Sequence, residues 1–417
     1  MRLPLLGLLF LSLGSATASA QDLGSLLEGI VRQELRKGLD PARLERAWTP
    51  TRPSAPQGIK VDTHAIKTRD GWTLVAFRYR MSPPVAPVPA QATLPVILCH
   101  GLTYNARFWD LDSSCSFAEY LAGRGMDVWV VNLRGCGQSQ KWVWSLENAP
   151  EALISGVLRR STRGKLGATA YASLDPKYAQ WTMDDHIVHD VPALVYLVKR
   201  LTGAPEVAWV GHSMGGIVAL AHLSRFQNPG IGRLVAIGSQ FTMPEGQVPA
   251  QFLRELLITR ERQVSGTVRG PELVAQSLTS AQNLFFNVRN VSPEVYQALT
   301  TEATDVPSVG LLTQYLSLAD RGSLFDASRR FEYASGLPNI RIPVLLGCGA
   351  ADRFAPPKVQ KFLYDRIGSP DKTLVVFGRA GGYSVDAGHN DALVGLNSRD
   401  QVYPLLHQWL STPRPAH

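Results

Sequence analysis

The stretch Val207-Ala-Trp-Val-Gly-His-Ser-Met-Gly-Gly216 is an apolar run that leads directly into a Gly-x-Ser-x-Gly pentapeptide, Gly211 to Gly215. This pattern, between an apolar β-branched strand and an apolar helix, is typical of a tight turn that holds its serine in a strained conformation. A Cβ at either glycine would collide with neighbouring backbone. The N-terminus of the following helix favours negative charge beside the serine. The stretch therefore predicts Ser213 as a nucleophile with an exposed hydroxyl.

The first 20 residues have the composition of an export signal. Arg2 precedes a mostly apolar run from Leu3 to Leu13, and Ala18-Ser19-Ala20 forms a small-x-small cleavage site. A membrane anchor would need a longer apolar run, of about 20 residues. We therefore expect residues 1–20 to be a signal peptide and the protein to be soluble and exported, to the periplasm or outside the cell.

The net charge of the chain gives no sign of a nucleic-acid partner. It is +8, and +7 once Arg2 is subtracted with the signal. The basic residues are scattered, without the striped footprint of a nucleic-acid surface. One cluster, between Arg159 and Lys165, is more typical of a solvated loop than of a site for anionic lipid headgroups.

The four cysteines do not indicate a metal site or a disulfide scaffold. Cys99, Cys115, Cys136 and Cys348 lack metal-ligand spacing and are few for a chain of this length. Cys99 and Cys348 end apolar strands and are expected to be core thiols. A disulfide between Cys115 and Cys136 remains an alternative in an oxidising compartment. We predict neither a metal nor an organic cofactor.

The region before the main alternating pattern contains a helix, a linker and a hairpin. Residues 21–56 begin with an amphipathic helix, Gln21 to Leu39. Packing on the protein itself is favoured for this helix over docking to a membrane surface. Strands are then predicted at Lys60–Thr68 and Trp72–Tyr79, on either side of the turn signal Asp70-Gly71.

From Leu94 onward, apolar strands alternate with helices. Continuous apolar strands of this kind predict an α/β fold with a mostly parallel sheet covered by helices on both faces. The core is predicted to comprise residues 57–242 and 340–417. After the hairpin, its strands are predicted at Leu94–Cys99, Val128–Asn132, Val207–Val210, Leu234–Gly238, Pro343–Leu346 and Thr373–Phe377.

Residues 243–339 are predicted to form a helical cap, because the segment is too long for a loop in a compact domain. Inserted here, it would lie above the carboxyl edge of the sheet, where open α/β sheets bind ligands. A second insert, Lys141 to Trp181, is rich in aromatic residues and either walls the same cleft or packs on the surface. The cap helices are predicted at Phe252–Leu257, Pro271–Leu284, Pro293–Leu299 and Leu311–Leu318.

A serine nucleophile needs a histidine base and a carboxylate that fixes the tautomer of the histidine. In this architecture both follow the serine, each in a loop after a late strand. Asp352 follows the strand that begins at Pro343, and His389 follows the last strand. We therefore predict a triad of Ser213, Asp352 and His389. Asp386, three residues before the histidine, is the alternative acid.

The other histidines are less suited to this role. His407 and His417 also lie beyond the last strand, but in the terminal helix and tail. His186 and His189 lie among acidic residues at a helix start. A solvated helix start is favoured there over a metal pair, and no H-E-x-x-H motif is present.

Negative charge develops on the substrate carbonyl oxygen as the serine attacks, and each fixed amide donor there is worth about 3 to 4 kcal/mol. We predict two such donors, the backbone N–H of Met214 and that of Leu102 in the loop His100-Gly101-Leu102. His100 itself is interpreted either as a brace for this loop or as a residue of the site.

These motifs resemble the α/β-hydrolase superfamily, and within it the acid lipase branch that includes lysosomal and gastric lipases and their bacterial relatives. The resemblance covers about Lys60 to Leu410 and implies the same nucleophile, acid, base and oxyanion donors. Met214 stands where those lipases commonly have glutamine. The matching residues are the His100-Gly101-Leu102 loop with Trp109, Val131-Asn132-Leu133-Arg134-Gly135, the helix from Asp184-Asp185 to Asp190-Val191-Pro192-Ala193, Asp352 and His389-Asn390-Asp391.

The sequence thus predicts an exported serine hydrolase that cleaves carboxylic esters, as a lipase or esterase, through an acyl-enzyme. The cap and the aromatic insert favour an apolar acyl pocket and a hydrophobic ester or lipid substrate, with transient contact to a membrane surface left open. An acyltransferase or an amide-cleaving hydrolase is an alternative on the same fold. A catalytically silent binding protein is the alternative of another class. Acyl length, alcohol and oligomeric state stay open.

Overall fold

The computed structural model of the chain describes residues 58–82, 94–140, 180–226, 230–243, 248–264 and 282–413. All of them belong to one compact unit, Ser54–His417. The signal peptide, the N-terminal helix, the basic cluster, residues 141–179 of the aromatic insert and most of the predicted helix Pro271–Leu284 lie outside the described residues. Among the helices that are described, none has both the length and the apolar character needed to cross a bilayer.

The described strands form a single eight-stranded sheet, with the order β1-β2-β4-β3-β5-β6-β7-β8. β1 pairs antiparallel with β2, and β2 with β4, while the remaining pairs are parallel. The predicted hairpin and the mostly parallel sheet are both confirmed. The strands are β1 (Ile59–Lys67), β2 (Thr73–Met81), β3 (Val96–Cys99), β4 (Val128–Asn132), β5 (Val207–His212), β6 (Ile231–Ile237), β7 (Val344–Gly349) and β8 (Lys372–Phe377).

The central strands are buried along their whole length, which explains their continuous apolar sequences. Every residue of β3, β4, β5 and β7 is buried, so both faces of the sheet are covered there. β1 and β8, at the two edges, are partly exposed. The burial pattern therefore places β5, which carries the serine, at the centre of the sheet.

The helices between β6 and β7 lie where the sequence predicts them, but they are longer than predicted. Those predicted at Phe252–Leu257, Pro293–Leu299 and Leu311–Leu318 fall within longer helices of the segment between β6 and β7. Because β6 and β7 are neighbours in the sheet, this whole segment is inserted into one strand-to-strand connection. The main helices are α1 (Phe117–Ala122), α2 (Val191–Thr202), α3 (Met214–Arg225), α4 (Val248–Val264), α5 (Pro293–Thr301), α6 (Val309–Arg321), α7 (Pro357–Arg366) and α8 (Tyr403–Ser411).

The segment before α2 differs from the sequence interpretation. A short helix, Met183–Asp185, continues through a π-helical turn, His186–Asp190, into α2. His186 is 1% exposed and Asp190 is fully buried, so the interpretation as a solvated helix start was wrong for both. The carboxylate of Asp190 accepts hydrogen bonds from Arg134 at 2.7 Å and His186 at 2.8 Å. A buried charge needs such partners, and the pairing ties the loop after β4 to α2.

The π-helical turn is also bonded to α3. Nδ1 of His222 donates to the carbonyl oxygen of Ile187 at 2.7 Å. Burial lowers the pKa of His222 from 6.5 to about 4, because the charged ring would lose its hydration. The folded protein therefore holds this histidine neutral at pH values where the unfolded chain protonates it.

We expect the free energy of unfolding to fall as the pH drops from 6.5 to about 4, with His222 contributing on the order of 3 kcal/mol. A folded-state pKa below the unfolded value gives stability that is present above pH 6.5 and is lost on acidification. Urea denaturation at both pH values would measure the loss. His222→Asn, which keeps a side-chain donor but does not titrate, should lose less stability; the same loss in both proteins would contradict this account.

Candidate active site

Ser213 occupies a strained turn between β5 and α3. Its φ of 52° is positive, in a region that residues other than glycine rarely adopt. Its backbone N–H donates to the carbonyl oxygen of Ile237 at 2.7 Å, and its own carbonyl oxygen accepts from Ser239 Oγ at 2.9 Å. The turn is therefore held by β6 and the residues that follow it.

The glycines on either side of Ser213 are required by close backbone packing. A Cβ at Gly211 would overlap the backbone of Gly215, and a Cβ at Gly215 would overlap the carbonyl groups of Cys99 and His100 at the end of β3. The steric reason predicted for both glycines is confirmed. The turn thus brings the ends of β3 and β5 into direct contact with the start of α3.

Ser213 itself is only 4% exposed. The expectation of an exposed hydroxyl was wrong, because α6 covers the turn. Tyr315 of α6 lies against the side chain of Ser213. The nucleophile candidate is therefore largely shielded from bulk water.

The structure brings His389 to Asp352 rather than to Asp386. Nδ1 of His389 lies 2.9 Å from Oδ2 of Asp352, and both residues are buried. The other oxygen of Asp352 accepts from the backbone N–H groups of Phe354 at 2.8 Å and Ala355 at 2.7 Å. Asp386 instead accepts from the N–H of Arg379 at 2.8 Å. Because a carboxylate only accepts, Nδ1 of His389 carries the proton and Nε2 is left as the basic nitrogen.

His389 also lies directly beside the serine turn. Nε2 of His212, the residue before Ser213, donates to the carbonyl oxygen of His389 at 3.1 Å, and the two rings are 4.9 Å apart. Burial lowers the pKa of His212 well below its usual value, so this residue is a neutral donor. The rings of Phe354 and Phe285 lie 5.0 and 6.0 Å from that of His389, which gives it an apolar surrounding.

The loop that carries His389 is anchored by Asp391. The Asp391 carboxylate accepts from the N–H of Gly388 at 3.0 Å, from the N–H of Asn287 at 3.0 Å and from the side-chain amide of Asn290 at 2.8 Å. Asn287 and Asn290 belong to the segment inserted between β6 and β7. The same inserted segment therefore helps to fix the position of the histidine loop.

The loop after β3 carries the second predicted oxyanion donor, Leu102. A Cβ at Gly101 would lie 3.1 Å from Cβ of Ser213, so the loop passes directly over the serine turn. Nδ1 of His100 donates to the carbonyl oxygen of Gly101 at 3.0 Å, and its Nε2 accepts from the N–H of Leu133 at 3.2 Å. Burial lowers the pKa of His100 to about 4, which agrees with a neutral ring that donates and accepts. His100 thus braces the loop.

A strap of three residues, Ala303–Asp305, pairs with the same loop. Tyr104 and Thr304 form an antiparallel bridge. The N–H of Asn105 donates to the carbonyl oxygen of Ala303 at 3.0 Å, and the N–H of Asp305 donates to that of Thr103 at 2.7 Å. Thr103 has a φ of 68°, unusual for a β-branched residue. The strap therefore fixes a strained residue next to Leu102.

Met214, the other predicted donor, is the first residue of α3 and is 1% exposed. A first-turn N–H has no acceptor within its own helix, so the amide is available for an anion beside Ser213. Leu102 and Met214 thus lie on the two chain segments that meet at the serine turn.

One group of potential metal ligands is present among the described residues. Ligand atoms of Asp70, Asp185 and His189 lie within 4.8 Å of one another. Arg134 Nη1 already lies 2.6 Å from Asp70 Oδ2 and 3.8 Å from Asp185 Oδ1, so the carboxylates have a cationic partner. His186 is not part of the group. This arrangement gives no support for a metal pair.

Cys115 and Cys136, the pair considered for a disulfide, are not joined by one in the described structure. Trp181, at the end of the aromatic insert, packs against Trp72 with ring centroids 5.6 Å apart. It therefore belongs to the packing beneath the hairpin. The remaining aromatic residues of the insert lie outside the described residues.

Two residues that no sequence motif indicates, Tyr315 and Gln240, have side chains that meet beside Ser213. Tyr315 lies in an amphipathic helix without a motif, where an aromatic residue is normally core. Gln240 follows β6 and has no spacing that relates it to the triad. Only the three-dimensional position of both residues gives their relation to the site.

The chain is similar to known proteins in sequence and in fold. Residues 95–388 match the family model described as the alpha/beta hydrolase fold. A human protein, lipase member K, is 28% identical over 43% of this chain and 38% of its own length. Triacylglycerol lipase 2 of Arabidopsis thaliana is 23% identical over 83% of both chains. The chain spans about a third of the length of most curated relatives that it matches.

A solved structure of similar fold is a thermophilic esterase from Thermogutta terrifontis. It is 19% identical, has a TM-score of 0.54, and the match covers 84% of this chain and all of the esterase. The likeness establishes the fold. The predicted relationship to the α/β hydrolases is confirmed, since the family model matches most of the core, and the curated relatives that match include lipases. From its sheet, its serine turn and these matches, the chain belongs to the α/β-hydrolase fold family.

Proposed function

We propose that this protein is a serine hydrolase that cleaves carboxylic esters through an acyl-enzyme. The observation that carries the proposal is the pairing of His389 Nδ1 with Asp352 at 2.9 Å beside the strained turn of Ser213. This pairing leaves Nε2 of the histidine as the base that a serine nucleophile needs. The lipase relatives support esters as the substrate class.

In the proposed first half-reaction, Ser213 Oγ attacks the ester carbonyl carbon while Nε2 of His389 takes its proton. The developing oxyanion accepts hydrogen bonds from the N–H groups of Leu102 and Met214. The bond from carbon to the alkoxy oxygen then breaks, and that oxygen receives the proton from His389. An alcohol leaves, and the acyl group remains on Ser213.

In the second half-reaction, a water molecule gives one proton to Nε2 of His389 and its oxygen attacks the acyl carbon. The bond to Ser213 Oγ breaks, the serine recovers its proton from His389, and a carboxylic acid is released. Asp352 stabilises the imidazolium in both half-reactions without taking the proton.

We propose a hydrophobic ester or lipid as the substrate. The rings of Phe285, Phe354 and Tyr315 form a chain of contacts beside the site, with centroids 5.3 Å apart for Phe285 and Phe354 and 6.3 Å apart for Phe354 and Tyr315. Apolar rings with few polar groups are typical of pockets for apolar ligands.

We also propose that the protein is exported and that it makes transient contact with a membrane surface.

Replacement of the nucleophile should separate catalysis from folding. We expect Ser213→Ala to lose about 10⁶-fold in kcat on a nitrophenyl ester, since no other group in the site replaces Oγ. A fluorophosphonate probe should label the wild type and not the variant. Activity of the variant close to the wild-type level would contradict the assignment.

Two carboxylate variants provide the matched control. Asp352→Asn should lower kcat by about 10⁴-fold, because the amide no longer holds the tautomer of His389. Asp386→Asn should leave kcat within about 3-fold of the wild type, since Asp386 bonds Arg379 instead. A larger loss of kcat in Asp386→Asn than in Asp352→Asn would assign the role of the acid to Asp386.

An apolar pocket should make kcat/KM depend on the length of the acyl chain of the ester. We expect kcat/KM for a series of nitrophenyl esters to rise from acetate to longer acyl groups, by roughly 0.8 kcal/mol for each buried methylene. Steady-state rates over the series measure this. A preference for acetate over all longer chains would exclude a lipid-like acyl pocket.

Gly238, just after β6, should be essential for the position of the histidine. Its φ is +66°, and a Cβ there would lie 2.9 Å from Cε1 of His389 and 3.5 Å from Oδ2 of Asp352. We expect Gly238→Ala to lower kcat/KM by about 100-fold, because a small displacement of a catalytic group is enough for such a loss.

Gly203, with a φ of +73° and open space around its Cβ position, gives the control. Gly203→Ala introduces the same kind of backbone strain. This strain should lower the melting temperature and leave kcat/KM unchanged. Equal losses of kcat/KM in both variants would mean that backbone strain, rather than displacement of His389, explains the effect.

A further inference from the structure

Two buried polar groups that the triad does not use lie beside Ser213. Tyr315 is fully buried, and its hydroxyl lies against the side chains of Ser213 and Gln240. Gln240 is 1% exposed. Neither the hydroxyl of Tyr315 nor Nε2 of Gln240 has a hydrogen-bond partner of good geometry among the described residues. Burying unpaired donors costs free energy, so this pair is suited to an oxygen that a substrate or water brings.

The position of Tyr315 is fixed by its neighbour in the sequence. Gln314 accepts from the N–H of Met183 at 2.8 Å, and its amide donates to Asp184 at 2.7 Å and to the carbonyl oxygen of Phe325 at 3.0 Å. These bonds lock α6 to the short helix that precedes α2. The hydroxyl of Tyr315 is therefore held in place by a rigid element.

The sheet order indicates which part of an ester this pair would meet. β5 lies between β3 and β6. The oxyanion loop follows β3 and passes over Ser213 from one side, while Gln240 follows β6 on the other side. Asp352 and His389 come from the loops after β7 and β8, which lie beyond β6. Gln240 therefore lies on the side of the base, opposite the loop of Leu102, and Tyr315 contacts it there.

The group that receives a proton from His389 is the alkoxy oxygen of the ester. We propose that Tyr315 and Gln240 form an acceptor site, which donates hydrogen bonds to this alkoxy oxygen and then to the water oxygen that replaces it. The inference rests on the proposed ester hydrolysis. The two oxygens occupy one place, because the water attacks along the path by which the alcohol left.

The acceptor site acts without taking part in proton transfer. As the bond from carbon to the alkoxy oxygen breaks, negative charge grows on that oxygen until His389 delivers its proton. Two donors stabilise this charge, and in the second half-reaction they orient the water toward the acyl carbon. Burial raises the pKa of the Tyr315 phenol, so its hydroxyl stays protonated and serves as a donor.

The leaving group gives the sharpest test. We expect Tyr315→Phe to lower kcat/KM by about 10- to 100-fold on an ethyl ester, where the alkoxide is poorly stabilised. On the 4-nitrophenyl ester of the same acid, whose leaving group needs little help, the acylation rate should stay within about 3-fold. Gln240→Met, which removes the amide donor at similar size, should show the same selective loss. Single-turnover kinetics with both esters measure acylation.

Tyr79→Phe is the matched control. The hydroxyl of Tyr79, on β2, donates to Asp110 at 2.8 Å, so its removal should lower the melting temperature and change the rates on both esters equally. Tyr315→Phe should leave the melting temperature unchanged, since its hydroxyl has no partner of good geometry among the described residues.

The outcomes separate this inference from the proposed function. If the wild type neither hydrolyses esters nor reacts with a fluorophosphonate, the proposed function fails. If the wild type does both, and Tyr315→Phe and Gln240→Met lose the acylation rate equally on the two esters, the acceptor site is overturned and the proposed function stands. Faster labelling of Ser213 in Tyr315→Phe also overturns the acceptor site, because Tyr315 would then restrain the resting nucleophile.

Discussion

The close approach of three backbone segments at Ser213 is the constraint on which the rest of the structure depends. The end of β3, the end of β5 and the start of α3 meet without room for a Cβ at Gly211 or Gly215. The contact holds Ser213 at a positive φ and places it directly beneath the loop after β3. The cost of the strained backbone is offset by the buried strands around it, which over-determine the turn.

The segment inserted between β6 and β7 contacts three parts of this site. Its strap pairs with the loop of Leu102, its residues Asn287 and Asn290 bond the loop of His389, and its helix α6 brings Tyr315 to Ser213. A cover that merely shielded the site would not need these bonds. The inserted segment is therefore part of the architecture that orients the site, as well as its cover.

Much of the fold could be predicted from the sequence, because continuous apolar strands and a fixed order of motifs are local signals. The boundaries of β4 agree with the prediction, and Asp352 pairs with His389, as its position after β7 suggested. Burial and pairing between residues far apart in the chain were harder to predict from the sequence. His186 and Asp190 resemble a solvated acidic turn in sequence, yet Arg134, 56 residues from Asp190, pairs with the aspartate inside the core. Tyr315 likewise carries no local signal, since its partners are distant in the chain.

The strap at Ala303–Asp305 joins the inserted segment to the loop that carries the amide of Leu102. Asp305 bonds the carbonyl oxygen of Thr103, whose φ of 68° would not persist in a free loop. A displacement of the strap that opened a path to Ser213 would also release Thr103 and, with it, the amide of Leu102. Substrate binding and bond cleavage would then need two different conformations of the strap. With the strap displaced, the protein would bind an ester but could not stabilise its tetrahedral intermediate.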